Sequence, residues 1–283
     1  MVHSSPRCSL GGQSYTGSCR ITCLGLICPR SFADRLRKVA TPNCQRRFYQ
    51  TNVVYADAVQ MEAEYRASGK AVDLEHYHYV RRGNSGVLSC FALMEPALGI
   101  DLPDEVVEHP AFKEITVIGM DLVCWANVRY IAKKCLRCAN LSHVPCFTFH
   151  QDLYSFNMER SREIDASNII TILMEHKGYT LQQAVDHVGE AFADLVQRLL
   201  EARRNFPSFG PEVDSAVGKF IDAIEAWEVG NLDWSFASKR YFGEASEDIR
   251  KSRIVKLYPR KSELQQHNKD TVTPDQMPEP TRA

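Results

Sequence analysis

Apolar residues recur along most of this chain at the three- and four-residue intervals of a helix face. Between Ser31 and Arg47 they fall at Phe32, Leu36, Val39 and Ala40, with Pro42 as a break. Between Arg46 and Ser68 they fall at Phe48, Val53, Tyr55, Val59 and Met61. Asp73 stands as the N-cap of a further helix reaching about Arg82, with His76 three residues on. Gly83-Asn84-Ser85-Gly86 breaks the chain before the apolar run Val87–Leu98. Gly99–Glu105 reads as a loop, and Pro110 marks a restart. Phe112–Trp125 is apolar nearly all round, which predicts a central, buried helix. Later helices are predicted over Leu153–His176, Thr180–Asn205 and Pro211–Gly230, the second opened by a capping box of Thr180 and Gln183. Period-two alternation with hairpin turns is nowhere sustained. The reading is all-α, one domain.

Two segments break this pattern. Residues 1–30 are rich in Ser, Gly and Cys and carry no periodicity, which predicts disorder. Residues 128–151 contain basic residues but no acidic ones, and they interrupt two otherwise continuous helical stretches. Seven of the ten cysteines sit in or beside these segments. Cys44, Cys90 and Cys124 are scattered through helical sequence, where a free thiol acts as a small hydrophobe. A disulfide scaffold has a different distribution, so a reducing, cytoplasmic compartment is expected. The net charge of −1 gives no bulk attraction to nucleic acid or membrane surfaces. No apolar run reaches the roughly 18–20 residues of a membrane span. Beyond Leu257 the chain turns polar, with Pro274, Pro278 and Pro280, and residues 258–283 read as a disordered tail.

The stretch Asp152-Leu-Tyr-Ser-Phe-Asn-Met-Glu-Arg160 has the most specific chemistry. On a helix, Ser155 and Glu159 share one face with position 151. An amide oxygen, a hydroxyl and a carboxylate at that spacing suit a hard cation such as Mg²⁺, although a solvated helix face gives the same pattern. The stretch resembles the second metal motif of class I terpene synthases, especially the sesquiterpene synthases of basidiomycete fungi, which reads Asn-Asp-x-x-Ser-x-x-x-Glu. Asp152, Ser155 and Glu159 match, while Gln151 stands where the family has Asn. The family's preceding helix ends in a phrase like Asp121-Leu-Val-Cys-Trp-Ala-Asn127, so joining Asn127 to Asp152 restores the motif.

Residues 128–151 are therefore read as translated intron. Val128-Arg129 is compatible with a fungal donor site, Ala139-Asn140 with a branch sequence, and Gln151 with the terminal AG of an acceptor. The alternative is a genuine insertion in which Cys135-x-x-Cys138, with Cys146 or His143, binds zinc.

Two more phrases carry the resemblance. Asn231-Leu-Asp-Trp-Ser-Phe-Ala-Ser-Lys-Arg-Tyr-Phe-Gly243 is similar to the family's C-terminal phrase, whose Arg-Tyr pair binds the substrate diphosphate. The pair here is Arg240-Tyr241. Tyr79-Val-Arg-Arg-Gly-Asn-Ser-Gly86 is similar to Arg-Arg-Asp-Thr-x-Gly and places Arg81 as the diphosphate-sensing residue, with Gly83 where Asp is usual. The resemblance implies the class I terpenoid synthase helical fold, incomplete, with its early helices missing and with family sequence over 31–127 and 152–257. It implies Mg²⁺-dependent ionisation and cyclisation of a prenyl diphosphate, farnesyl diphosphate first. The metal ligands would be Asn127, Ser155 and Glu159, or Gln151 if the insertion is real, and the diphosphate would meet Arg81, Arg240 and Tyr241. No protein partner is implied. Phe91 and Trp234 are expected to line the cavity, and Phe48, Tyr55 and Trp125 to fill the core.

The family's Asp-rich motif should precede Ser31, yet residues 1–30 contain no Asp or Glu. Asp101-Leu-Pro-Asp-Glu105 is a poor substitute, because Pro103 places it in a loop. The reading is an N-terminally truncated gene model with a retained intron, whose 283 residues alone are not expected to turn over substrate. The alternatives are a catalytically inactive fragment of the same fold and a zinc-binding interaction module.

Overall fold

Thr41 and Pro42 divide the first two helices, α1 (Arg30–Val39) and α2 (Pro42–Ser68). Proline costs nothing at the first helical position, and the Thr41 hydroxyl accepts the Cys44 N–H at 3.2 Å as its cap. The computed structural model describes residues 30–68, 73–125, 151–164, 168–252 and 254–263. Asn127, nearly all of the 128–151 segment and the cysteine-rich N-terminus lie outside those residues. The described residues contain helices and turns and no strand, as the absence of period-two alternation predicts.

Helix α3 (Leu74–Asn84) begins where Asp73 Oδ1 accepts the His76 N–H at 2.8 Å, the expected cap. Gly86 then takes a left-handed conformation (φ 73°) that only glycine adopts cheaply, and the chain restarts as α4 (Val87–Ala92) and α5 (Met94–Leu98). After α6 (Asp104–Val107) comes α7 (Pro110–Trp125), buried almost continuously from Ile118 to Cys124. The remaining helices are α8 (Gln151–Arg162), α9 (Ile169–Lys177), α10 (Leu181–Arg204), α11 (Pro211–Ala237) and α12 (Ser246–Ser252). The Thr180 capping box forms in both directions: the Thr180 N–H meets Gln183 Oε1 at 2.8 Å and Thr180 Oγ1 accepts the Gln183 N–H at 3.3 Å.

Three sequence expectations are corrected. The helix expected over Leu153–His176 is two helices, because Glu163 turns left-handed (φ 60°) and Asn168 caps a new start. Helix α11 runs past Gly230 to Ala237, since Leu232, Ser235 and Phe236 continue its buried face. Residues 258–263, expected in a disordered tail, lie along α8. There Asn157, 4% exposed, accepts the Tyr258 N–H at 2.8 Å and donates to the Lys256 carbonyl at 3.0 Å.

Contacts gather the described residues into two compact units, both of which draw on α3, α7, α10 and α11. The first comprises described residues up to 68 together with 78–120 and 201–225. Phe91, Ile115 and Ile118 are wholly buried there, and the rings of Phe112 and Phe220 sit 5.0 Å apart. Gly119 admits this packing, because a Cβ there would lie 2.9 Å from Ile224 and 3.0 Å from the Phe91 ring. A buried guanidinium, Arg47 on α2, ties the following loop down. It meets Glu95 Oε1 at 2.6 Å, the Leu102 carbonyl at 2.5 Å and Asp104 at 2.9 Å. Glu95 in turn accepts the Leu102 N–H at 2.9 Å.

The second unit comprises 73–77, 121–200 and residues from 226 onward, as far as they are described. Tyr77, Phe156, Ile169, Ile170, Ile172, Leu173, Ala184 and Val188 form its core and hold α9 against α8. A smaller cluster of Leu232, Phe236, Tyr241 and Phe242 closes the end of α11.

Candidate metal and diphosphate site

Helix α8 carries the stretch that resembles a metal motif. Phe156 and Asn157 are buried, one in the core and the other against residues 256–258. Ser155 and Glu159 are half-buried and one turn apart, which sets them about 6 Å apart along the axis. Asn127 lies outside the described residues, as does the side chain of Gln151, whose backbone opens α8. A hydroxyl and a carboxylate one turn apart are a hard-oxygen pair of the type Mg²⁺ selects. The donor set therefore fits the ion that the sequence reading names.

A residue that the sequence reading did not single out adjoins this pair. Asn168, 1% exposed, donates from Nδ2 to Glu159 Oε2 at 3.0 Å, and its Oδ1 accepts the Ile170 N–H at 3.0 Å. The available signal was an Asn directly before the apolar run Ile169-Ile170, an ordinary N-cap pattern.

Arg240 and Tyr241 lie in the turn that ends α11. Lys239 takes a left-handed conformation (φ 55°) where glycine is commoner, and the Gly243 N–H closes onto its carbonyl at 2.9 Å. Tyr241 is 4% exposed and packs with Phe242 in the small cluster. The Arg240 guanidinium is exposed, with its carbon 5.5 Å from the Tyr241 ring centre and 5.9 Å from that of Trp234. The two rings meet edge to face at 6.4 Å. Trp234, 45% exposed, is thus an aromatic platform beside Arg240, and the expectation that it lines a cavity is replaced. Phe91, the other expected lining residue, is core beside Gly119. Phe48 and Tyr55 are half-buried, and the Trp125 side chain lies outside the described residues.

Arg81 belongs to the first unit. It is half-buried on α3, and its Nη1 reaches Asn84 Oδ1 at 3.4 Å. Asn84 donates to Glu62 Oε2 on α2 at 2.7 Å, and Glu62 pairs with Arg66 at 2.6 Å. Beside it, Arg82 and Gly83 help line a cavity of about 160 Å³ between α2, α3, α4 and α7. Gly83 is packed so closely that a Cβ would lie 2.5 Å from the Ala58 Cβ. The departure from the family's Asp at this position thus has a steric counterpart.

Two other acid-bearing places carry no site. Asp104 is held below the usual carboxylate range by hydrogen bonds from Arg47 and then Arg46; Asp101–Pro103 is loop, as Pro103 predicts, while Asp104 and Glu105 open α6. Cys44, Glu95 and Asp101 converge, but the Arg47 guanidinium already pairs with both carboxylates, at 2.6 Å from Glu95 and 3.6 Å from Asp101. Cys44, Cys90 and Cys124 form no disulfide among the described residues, and burial pushes the first two thiols above the ordinary range. No helix among the described residues is long and apolar enough to cross a membrane.

Comparison with known proteins identifies the chain's relatives. The chain is 40% identical over 228 residues to alpha-muurolene synthase of Coprinopsis cinerea, covering 81% of this chain and 48% of that protein. It is 40% identical over 230 residues to a sesquiterpene synthase of Cyclocybe aegerita, covering 81% and 57%. A sesquiterpene synthase of Postia placenta is 36% identical over 228 residues, covering 81% and 60%. The chain thus spans about half to three fifths of the length of these curated relatives. Among solved structures, linalool/nerolidol synthase from Streptomyces clavuligerus aligns with a TM-score of 0.57 at 20% identity, over 72% of this chain and 61% of that one. Germacradien-4-ol synthase from Streptomyces citricolor aligns with a TM-score of 0.54 at 21% identity, over 72% and 60%. These two alignments show the fold. The profile of a family described as terpene synthase family 2, C-terminal metal binding, matches residues 26–198, well over half of the chain. The chain belongs to that terpene synthase family.

Proposed function

We propose that the protein is a sesquiterpene cyclase that ionises and cyclises a prenyl diphosphate, with farnesyl diphosphate as substrate and Mg²⁺ as the metal. The observation that carries the reading is the Ser155–Glu159 pair on α8, one turn apart in a helix whose other face is fixed by Phe156 and Asn157. Ser155 and Glu159 would hold one Mg²⁺ together with Asn127 in the spliced protein, or with Gln151 if residues 128–151 are native. The ion supplies positive charge that stabilises the diphosphate as the C–O bond breaks. Arg240 offers planar donors that match phosphate oxygens, and Tyr241 offers a phenol beside it. Trp234 keeps the guanidinium against an aromatic face, and Arg81 serves as the diphosphate-sensing cation on α3. The expected setting is the cytoplasm, because the ten cysteines are not distributed along the chain as a disulfide scaffold would be.

The test is to incubate the protein translated from the mature transcript with farnesyl diphosphate and Mg²⁺ and to analyse the extract by gas chromatography. Sesquiterpene hydrocarbons or alcohols that vanish with chelator are expected. Release of no terpene from any prenyl diphosphate would overturn the proposal.

A further inference from the structure

The Asn168 side chain makes hydrogen bonds in opposite directions, to Ile170 and to Glu159, and the first dictates the second. The Ile170 N–H is a donor at the first turn of α9, so the Asn168 atom facing it must be the carbonyl oxygen, at 3.0 Å. That orientation leaves the amide Nδ2 turned the other way, where it lies 3.0 Å from Glu159 Oε2 on α8. The side chain is 1% exposed, so water does not compete for either bond. Packing of Ile169, Ile170, Ile172 and Leu173 in one core with Phe156 fixes α9 against α8 and holds this geometry in register.

A cap alone does not call for Asn. Ser, Thr and Asp accept the same N–H nearly as well. Among these capping residues, only Asn joins the acceptor to an amide donor in one rigid plane. An amide N–H occupies one of about four lone-pair sites of a carboxylate and leaves others for a cation. Donors of this kind orient metal-bound carboxylates and set their affinity.

We propose that Asn168 is a positioning residue for the metal site: through Nδ2 it fixes the Glu159 carboxylate in the orientation that receives the divalent cation, while through Oδ1 it starts α9. The inference rests on Glu159 being a metal ligand, as proposed above. It adds that the start of α9 is part of the metal site's support, so the break between α8 and α9 serves the site.

The test separates the two bonds. Binding of Mn²⁺, as a paramagnetic stand-in for Mg²⁺, is followed by electron paramagnetic resonance on the 283-residue chain with inorganic diphosphate. Thermal unfolding is followed by circular dichroism on the same samples. Asn168→Ser and Asn168→Thr retain a capping oxygen and lose the amide donor, and Thr also keeps the volume. Both are expected to weaken Mn²⁺ binding roughly tenfold or more while unfolding near the parent temperature. Asn168→Ala is expected to show the same loss of metal affinity and a lower unfolding temperature. If Ser and Thr bind Mn²⁺ like the parent and only Ala loses affinity together with stability, Asn168 is a cap and nothing more, and the inference is overturned. Glu159→Gln is the control for the reading beneath it. If that variant binds Mn²⁺ like the parent, the metal assignment itself fails, whereas a loss there with normal Ser and Thr variants refutes the positioning role alone.

Discussion

Substituting Gly83 should be costly in a way that its helical position alone does not suggest. In an exposed helix interior, Gly→Ala gains about 1 kcal/mol. Gly83 is buried in α3 against α2, and an added Cβ would stand 2.5 Å from the Ala58 Cβ. Carbon atoms in ordinary contact sit about 3.5–4.0 Å apart, so the helices must separate by an ångström or more, and neither atom is the end of a flexible side chain. Overpacking of this kind costs about 1–3 kcal/mol, and two backbone-anchored atoms belong at the upper end. Net of the helix gain, Gly83→Ala should lose about 2 kcal/mol. Gly83→Asp, the family's usual residue, should lose more because it also buries a carboxylate. Ala58→Gly supplies the missing space, so the double variant Ala58→Gly/Gly83→Ala should regain most of the loss. Urea unfolding followed by circular dichroism reads all three. A Gly83→Ala variant more stable than the parent, or a double variant no better than the single, would refute the close-packing argument.

Glu228 is 8% exposed, its Oε1 has no hydrogen-bond partner among the described residues, and burial raises its pKa well above the usual carboxylate range. A raised folded pKa contributes stability that is present below the unfolded pKa and drains away as pH climbs through the folded one. Glu228→Leu should therefore stabilise the protein by about 1–3 kcal/mol at mildly alkaline pH and by less at mildly acidic pH, and equal effects at both would contradict this. Trp234→Ala removes an aromatic face worth about 0.5–1 kcal/mol beside an exposed cation, so diphosphate binding should weaken roughly two- to five-fold by calorimetry; unchanged binding would deny the platform role. Mature transcripts should encode Asn127 directly followed by Asp152, and finding the intervening codons in most polysomal transcripts would rule out the intron reading.

Features with a local cause were legible in the sequence. The caps at Asp73 and Thr180, the break before Val87, which falls at Ser85–Gly86 after α3 has run through Gly83 and Asn84, and the buried α7 all follow from residues within a few positions of one another. What was missed depends on contacts distant in sequence or on small energy differences. Apolar periodicity runs through Leu153–His176, yet Asn168 offers a competing start and the chain takes it. Residues from 258 onward look like polar tail, but the Tyr258 backbone pairs with the Asn157 amide about a hundred positions earlier. Nothing near Arg47 in sequence marks it as buried, since Glu95, Leu102 and Asp104 converge on it from about fifty positions away. In the candidate site, the sequence motif names Ser155, Glu159, Arg240 and Tyr241. The supports, Asn168 and Trp234, emerge only in three dimensions.

The most direct test of the central claim is calorimetric titration of inorganic diphosphate into the 283-residue chain with and without Mg²⁺, repeated for Glu159→Gln and Ser155→Ala. If α8 carries a metal site that works with diphosphate, Mg²⁺ should tighten binding in the parent, and both variants should lose that increment while keeping the metal-independent part contributed by Arg240 and Tyr241. Binding that ignores Mg²⁺, or a Mg²⁺ increment that survives Glu159→Gln, would contradict the account.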